Sequence, residues 1–125
     1  MGCVLSFLTS HCICWADAAR GDGHATRVVL YATWAQQSSA QQQAALSSGY
    51  QQAAEACGAA VARAGDAVTA VQQATQRGLA ADGRHASLLG SYAAACALFK
   101  ALTALSPRGA PHPSSLSVED ARLAQ

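Results

Sequence analysis

The chain has 125 residues and a formal net charge of +1, which suits one domain with a modest hydrophobic core. Charged residues make up 12% of the sequence and the arginines are scattered, which excludes a basic nucleic-acid-binding surface. Alanine supplies most of the apolar fraction of 51%, so we expect helices with a thin core, because alanine favours helix but buries little area.

The N-terminus carries a lipidation pattern. The chain begins Met-Gly-Cys-Val-Leu-Ser, which fits the N-myristoylation pattern with Gly2 as the acceptor and Ser6 at the hydroxyl position. One myristoyl chain holds a protein to a membrane only marginally, so stable anchoring needs a second signal. Cys3 is the predicted S-palmitoylation site, with Cys12 and Cys14 as further candidates. The pattern predicts a peripheral position on a cytoplasmic membrane face.

Three other interpretations of this segment stay open. A secretory signal peptide would use residues 4–8 as its apolar part and residues 16–18 as its A-x-A cleavage site, although it lacks a charged beginning. A metal site built from His11, Cys12 and Cys14 has too few ligands. The pattern can also arise by chance. No apolar run approaches the roughly 20 residues of a transmembrane helix.

Turn residues divide the rest of the chain into predicted helices. Gly21-Asp22-Gly23 separates the N-terminal segment from the body, Ser38-Ser39 offers an N-cap, and residues 81–83 form a turn. The predicted helices cover residues 24–37, 39–64, 66–79, 84–105 and, after a linker with three prolines at 107–113, a short stretch at 118–124. Ser117 begins a sequence that resembles a capping box and would cap this last helix.

Two helical faces are the predicted interaction surface. In the central helix Leu46, Tyr50, Ala53, Cys57 and Val61 recur three or four residues apart and share one face, while Gly49 and Gly58 lie inside the helix. A similar stripe follows the helix at 84–105 through Leu88, Tyr92, Cys96, Phe99 and Leu102. The residues assigned to partner binding are Leu46, Tyr50, Cys57, Val61, Leu88, Tyr92 and Phe99.

The sequence shows no constellation typical of catalysis. The histidines are unclustered and the aspartates fall mostly at turns and caps, so we predict no enzyme activity, no metal and no cofactor. The odd number of cysteines argues against a closed disulfide framework, and Cys57 and Cys96 fit small buried apolar residues. A cysteine nucleophile is the enzymatic alternative, and it predicts one thiol that is alkylated unusually fast.

Two segments resemble successive core helices of Bro-type domains, the boomerang-shaped helical domains of endosomal sorting adaptors. They read RVVLYATWAQQSSA and ALSSGYQQAAEACGAAV, and residues 50–54 match the family's aromatic-Gln-Gln-Ala-Ala core. Residues 116–119 and 123–125 are similar to a later region of the family, and some plant and algal relatives also begin Met-Gly-Cys. Bro-type domains are much longer, so the resemblance implies a fragment, and no binding residue is transferred.

The fold class predicted from these features is all-α, with three or four antiparallel amphipathic helices. The predicted parts are a flexible acylation segment at 1–23, a helical bundle at 24–106, and a Pro-rich linker with a short helix at 107–125. The predicted function is a lipid-anchored helical adaptor with a protein partner and no nucleic acid, of undetermined oligomeric state, in endosomal trafficking if the resemblance holds. The alternatives are a soluble interaction or oligomerisation module and a fragment without independent function.

Overall fold

The computed structural model describes residues 2–21, 23, 26–36, 39–79, 82 and 84–125, and for residues 2–8 only the backbone. The elements are α1 (Gly2–Gly21), β1 (Val29–Tyr31), α2 (Ala40–Cys57), β2 (Ala60–Ala62), α3 (Ala64–Thr75), α4 (Leu88–Thr103) and α5 (Val118–Ala124). The described part of the chain is mainly helical, which confirms the helical fold class in general. It also contains two strands, which the sequence did not predict.

The two strands form a parallel pair, with Val29 opposite Ala60 and Tyr31 opposite Ala62. Parallel strands cannot be joined by a tight turn, so the chain has to cross from the end of one strand to the start of the other. α2 provides this connection, and both α2 and α4 pack against the strands. The backbone pairing continues past the strands, since the Ala32 amide donates to the Ala62 carbonyl over 2.9 Å.

The predicted helix at 24–37 is wrong, because Val29–Tyr31 form β1. This stretch is rich in valine and contains a tyrosine, and β-branched and aromatic residues favour strands. Pairing with β2 supplies backbone hydrogen bonds that a local helix would otherwise make. The ends of the predicted helix, His24 and Gln37, lie outside the described residues.

The predicted helix at 39–64 ends early, at Cys57. Gly58 follows with a φ of 64°, and its amide donates to the Ala54 carbonyl. Glycine suits this left-handed position because it has no Cβ atom to crowd the backbone. Residues 60–62 then form β2, so Val61 lies on a strand and not on the face of the central helix.

The remaining helices agree better with the sequence. α3 and α4 fall within a few residues of the predicted helices at 66–79 and 84–105, and α5 covers the predicted range. Ser39 and Ser117 are N-caps as predicted, and Ser87 caps α4 in the same way. In the predicted turn at 81–83, Asp82 accepts hydrogen bonds from the backbone amides of two following residues. Met1, Asp22, Ser38, Ala81 and Gly83, which also belonged to predicted motifs, lie outside the described residues.

The N-terminal segment, predicted to be flexible, contains α1. Isolated helices are marginal in water, so α1 needs support from packing. It packs against α2, where Cys12 and Ala16 are buried. Arg20 lies near its end and donates to the Cys57 carbonyl over 2.6 Å, which neutralises part of the negative end of α2.

The buried residues form two clusters. The larger one joins α3, α4 and α5 around Val68, Val71, Leu79 and Leu89. The smaller one consists of Cys12, Ala16 and Cys57, with partly buried Val28, Leu30 and Ala59 against it. Among the buried hydrophobic residues of the described chain, those with 0% exposure are Ala53, Ala62, Ala64 and Ala93. The core is therefore built from small side chains, as expected from the composition.

The start of α3 lies directly against the end of β1, and Gly65 makes this approach possible. Its amide donates to the Ala32 carbonyl over 2.8 Å. A Cβ atom at position 65 would overlap the carbonyl oxygen of Thr33, which is a backbone atom and cannot rotate away. Any side chain at this position therefore has to displace the strand or the helix.

We expect Gly65→Ala to lower the free energy of unfolding by about 1–3 kcal/mol, the usual cost of overpacking. Gly78→Ala is the matched control, because a Cβ atom at position 78 would meet no heavy atom within 4 Å. Urea denaturation followed by circular dichroism measures both. Equal stability losses for the two variants would contradict a packing requirement at Gly65.

An ion pair attaches α5 to the end of α3. The Arg77 guanidinium contacts the Asp120 carboxylate in the first turn of α5. Arg77 holds the pKa of the Asp120 carboxyl below its ordinary value of 3.8, and Asp120 in turn raises the pKa of Arg77. Because the carboxyl ionises more readily in the folded chain, its stabilisation is present above about pH 4 and is lost as the pH falls through the folded-state pKa.

We expect Asp120→Asn to unfold at a lower temperature than the wild type at about pH 6. The difference should narrow as the pH falls below about 4, because the wild-type carboxyl becomes protonated as the pH passes through its lowered folded-state pKa. Glu119→Gln is the control, since it removes the same charge from the same turn without removing the Arg77 partner. Thermal unfolding at a series of pH values measures the differences. A gap between Asp120→Asn and wild type that does not change with pH would contradict this assignment.

Candidate functional site

The predicted lipidation residues stand at the start of α1. Gly2 is the first residue of the helix and Cys3 the second, and their side chains lie outside the described part of the structure. Cys12 fastens the same helix to the body. At a rise of 1.5 Å per residue, Cys12 is about 15 Å from Gly2 along the helix axis. No helix among the described residues is long and apolar enough to cross a membrane.

A disulfide bond joins Cys12 to Cys57, with their Cα atoms 6.0 Å apart. The odd number of cysteines argued against a disulfide framework, and for Cys12 and Cys57 that argument is wrong. Cys57 is nevertheless buried as predicted, at 3% exposure. Cys57 is also unavailable to a partner in this fold, and Cys12 is no longer a palmitoylation candidate. The two cysteines are 45 residues apart, and nothing in their local sequence indicates the pairing. Cys14 is free and exposed.

The packing of α1 bears on the signal-peptide interpretation. Ala16, the first residue of the possible cleavage site, is only 2% exposed. Cleavage after Ala18 would remove both Cys12 and Ala16 from the cluster that they form with α2. The described fold therefore uses this segment as a structural helix. Its outer side carries Ile13 and Trp15, which are 40% and 70% exposed.

The predicted interaction residues do not form one surface. Leu46 and Tyr50 are half-buried on α2, and Val61 lies on β2. Tyr92 faces inward from α4 and forms hydrogen bonds with the C-terminal segment. Its hydroxyl accepts from Gln125 Nε2 over 2.8 Å and donates to the Pro111 carbonyl over 3.2 Å.

An exposed apolar row remains on α4. Leu88, Phe99 and Leu102 are 47%, 41% and 52% exposed, and Leu105 beyond the helix is 61% exposed. Spacings of eleven and fourteen residues correspond to three and four helical turns, so the three helix residues share one side of α4. An exposed row of large apolar side chains is typical of a surface that binds a partner.

A network of hydrogen-bonded polar side chains lies near the ends of the strands. Buried Gln43 accepts from the Ala35 amide over 2.8 Å and donates to Ser47 Oγ over 3.0 Å. Ser47 donates to Asp66, and Asp66 pairs with Arg63 over 3.3 Å. Within the described residues, every buried side-chain nitrogen and oxygen has a partner. We interpret this cluster as a connection between α2 and α3.

A cavity of about 580 Å³, broadly open to solvent, lies between β2, α3, α4 and the C-terminal residues. This volume is within the range of small-molecule sites. Buried Cys96 lines it beside Arg63, Asp66 and Lys100, and burial raises the pKa of the Cys96 thiol. Much of the remaining wall is alanine, at Ala67, Ala70, Ala93, Ala97 and Ala101. No local sequence pattern indicates this cavity, because its position depends on which alanines of distant segments face one another.

A histidine–aspartate pair lies in an exposed turn away from the cavity. The His85 ring is 2.6 Å from the Asp82 carboxylate. The His85 amide and ring hold the pKa of Asp82 well below its usual range, and Asp82 raises the pKa of His85. In the described parts of the chain, no group of three or more His, Cys, Asp or Glu is arranged to hold a metal ion. We interpret the pair as a contact that stabilises the turn.

We expect removal of the disulfide to lower the free energy of unfolding by about 4 kcal/mol, from the loop-closure entropy of a ring of this length. The double variant Cys12→Ser/Cys57→Ser tests this by guanidinium denaturation, and Cys14→Ser is the control. Reductant should destabilise the wild type and the control but leave the double variant unchanged. A reductant effect of equal size in the double variant would contradict the assigned bond.

Comparison with known proteins gives no match, since no family model, no curated protein and no solved structure is similar to this chain. The function therefore has to be argued from the residues and their geometry.

Proposed function

We propose that this protein is a small non-enzymatic helical adaptor, attached to a cytoplasmic membrane face by lipid groups on Gly2 and Cys3. A protein partner binds its exposed apolar row on α4. The observation that carries the proposal is this row, in which Leu88, Phe99 and Leu102 are exposed on one side of the helix. The N-terminal pattern supplies the membrane attachment, with two neighbouring acylation sites as the two signals that stable anchoring needs.

The arrangement of α1 supports a membrane role. The helix begins at the proposed acylation site and packs against α2 through buried Ala16, so a lipid group at Gly2 is held at one end of a packed helix. Trp15 is 70% exposed on this helix. Tryptophan favours the membrane–water interface, because its ring is largely apolar and carries one polar N–H group.

The narrower parts of the proposal concern architecture and pathway. A helix bundle is supported by the direct packing of α1 on α2 and of α3 on α4, and an antiparallel course of its helices is part of the proposal. A Bro-related role in endosomal trafficking is supported by the Tyr-Gln-Gln-Ala-Ala sequence at 50–54, which lies on α2. The segment that precedes it in the resemblance contains β1 instead of a core helix, so this part of the proposal rests on α2 and on the similarity of residues 116–119 and 123–125.

The disulfide favours a second function, a helical interaction module without a lipid anchor. Disulfides persist in oxidising compartments and are rare in the cytosol, where thiols are kept reduced. In this case the Met-Gly-Cys start is coincidental, and the row on α4 binds a partner or a second copy independently of membranes. The redox state of Cys12 and Cys57 in the cell therefore distinguishes the two functions.

Membrane partitioning in a eukaryotic cell extract tests the proposal. We expect the wild type and Cys14→Ser to pellet with membranes, and Gly2→Ala and Cys3→Ser to stay in the supernatant, because each removes one of the two required signals. Mass-tag alkylation of the same samples, before and after reduction, measures whether Cys12 and Cys57 are free thiols or disulfide-bonded.

Each outcome separates the two functions. Wild-type protein in the supernatant together with oxidised cysteines would overturn the anchored adaptor and favour the interaction module. Light scattering on the purified protein then tests that module, since Phe99→Ser/Leu102→Ser should abolish its self-association and Gln73→Ala, at an exposed position of α3, should not.

A further inference from the structure

We infer that the bond between Cys12 and Cys57 is a redox switch that controls the attachment of α1 to α2. In the oxidised chain the bond keeps α1 in place. When a small-molecule thiol reduces the bond, α1 detaches reversibly and uncovers the apolar side chains packed against it, Val28, Leu30 and Ala59. The switch requires neither lipidation of the N-terminus nor a partner for the row on α4, so it goes beyond the adaptor function.

The bond is a large part of the contact between α1 and the body. Among the side chains of α1 that the structure describes, the buried ones are Cys12 and Ala16. With Cys57 they form the smaller buried cluster, so two of its three members are the disulfide itself. After reduction the cluster consists of two thiols and one methyl group, which bury little apolar area. Isolated helices are marginal in water, so α1 then depends on weak packing.

Arg20 provides a second contact between α1 and α2, and this contact is open to solvent. Its guanidinium donates to the Cys57 carbonyl over 2.6 Å and to the Asp17 carboxylate over 2.9 Å. The Arg20 side chain is 59% exposed, so water competes for these interactions. Without the covalent bond, Arg20 therefore holds α1 only weakly.

The body has a core of its own. The larger buried cluster joins α3, α4 and α5 and contains no described residue of α1. β1 pairs with β2, and α2 packs on α3, without a contribution from α1. Detachment of α1 is therefore a local opening, in which one segment separates while the remaining structure stays folded.

A cavity of about 280 Å³ brings solvent to the boundary between α1 and α2. Ala16 and Arg20 of α1 line it, together with Cys57 and Gly58 at the end of α2. The cavity therefore lies beside one of the two bonded residues. Cys12 and Cys57 are only 4% and 3% exposed, so a dissolved thiol reaches the sulfurs when this boundary opens.

Reduction of the bond is a thiol–disulfide exchange with two molecules of the small thiol. The thiolate of the first molecule attacks one sulfur, forms a mixed disulfide and displaces the other cysteine as a thiolate, which takes up a proton. The second molecule releases the first from the mixed disulfide. The products are two protein thiols and one small-molecule disulfide, and the reverse exchange restores the bond.

Hydrogen exchange of the purified full chain, followed by mass spectrometry with and without dithiothreitol, tests the switch. We expect the amides of residues 9–20 to exchange at least about tenfold faster after reduction, because α1 can then open without breaking a covalent bond. The amides of α3 and α4 should keep their protection. Unchanged exchange in α1, or an equal loss of protection in α3 and α4, would overturn the switch.

Cysteine variants assign the effect to this bond. In Cys12→Ser/Cys57→Ser, α1 should exchange fast with and without dithiothreitol, while Cys14→Ser should respond to dithiothreitol as the wild type does. A response to dithiothreitol that persists in the double variant would contradict the switch. If the double variant does not fold, the comparison of oxidised and reduced wild type decides alone.

An arginine variant tests whether the bond controls detachment. Arg20→Gln should speed the exchange of α1 further in the reduced chain and leave it unchanged in the oxidised chain, because the bond then holds the helix. Arg122→Gln is the control, since it removes an exposed cation of α5. Equal acceleration by Arg20→Gln in both redox states would show that α1 opens independently of the bond.

Discussion

The parallel pairing of β1 with β2 is the constraint on which the rest of the structure depends. Each strand has only three residues, yet their pairing determines where α2 ends and where α3 begins. α2 has to cross from the end of one strand to the start of the other. Gly58 ends this helix before β2 begins. After β2, the chain turns into α3 against Thr33, at a distance that only Gly65 permits.

Helices supported by local signals could be predicted from the sequence. Ser39 and Ser117 stand at the N-caps of α2 and α5 as predicted, because the effect of a serine cap is confined to one turn. The cap at Ser87 was missed, and α4 begins four residues after the predicted start at Arg84. β1 could not be predicted in this way. Its hydrogen-bond partners are residues 60–62, and no local pattern connects them to Val29–Tyr31.

The candidate sites were harder to predict than the helices. Helical periodicity shows which residues share a face, but it does not show which face meets the core when alanine occurs on every side. On α4 the predicted stripe divides, since Tyr92 turns inward while Leu88 and Phe99 stay exposed. The disulfide and the cavity both depend on contacts between distant segments, which spacing within one helix cannot reveal.

The disulfide has a consequence for the unfolded chain as well as for the folded one. Cys57 is three residues before β2. Fewer residues separate Cys12 from β1 than separate β2 from β1. In the oxidised chain, the path from one strand to the other through the bond is therefore shorter than the path along α2. Because the entropy lost on closing a loop grows with its length, the bond lowers the entropic barrier to strand pairing. A link between α1 and α2 thus favours early assembly of the sheet during folding.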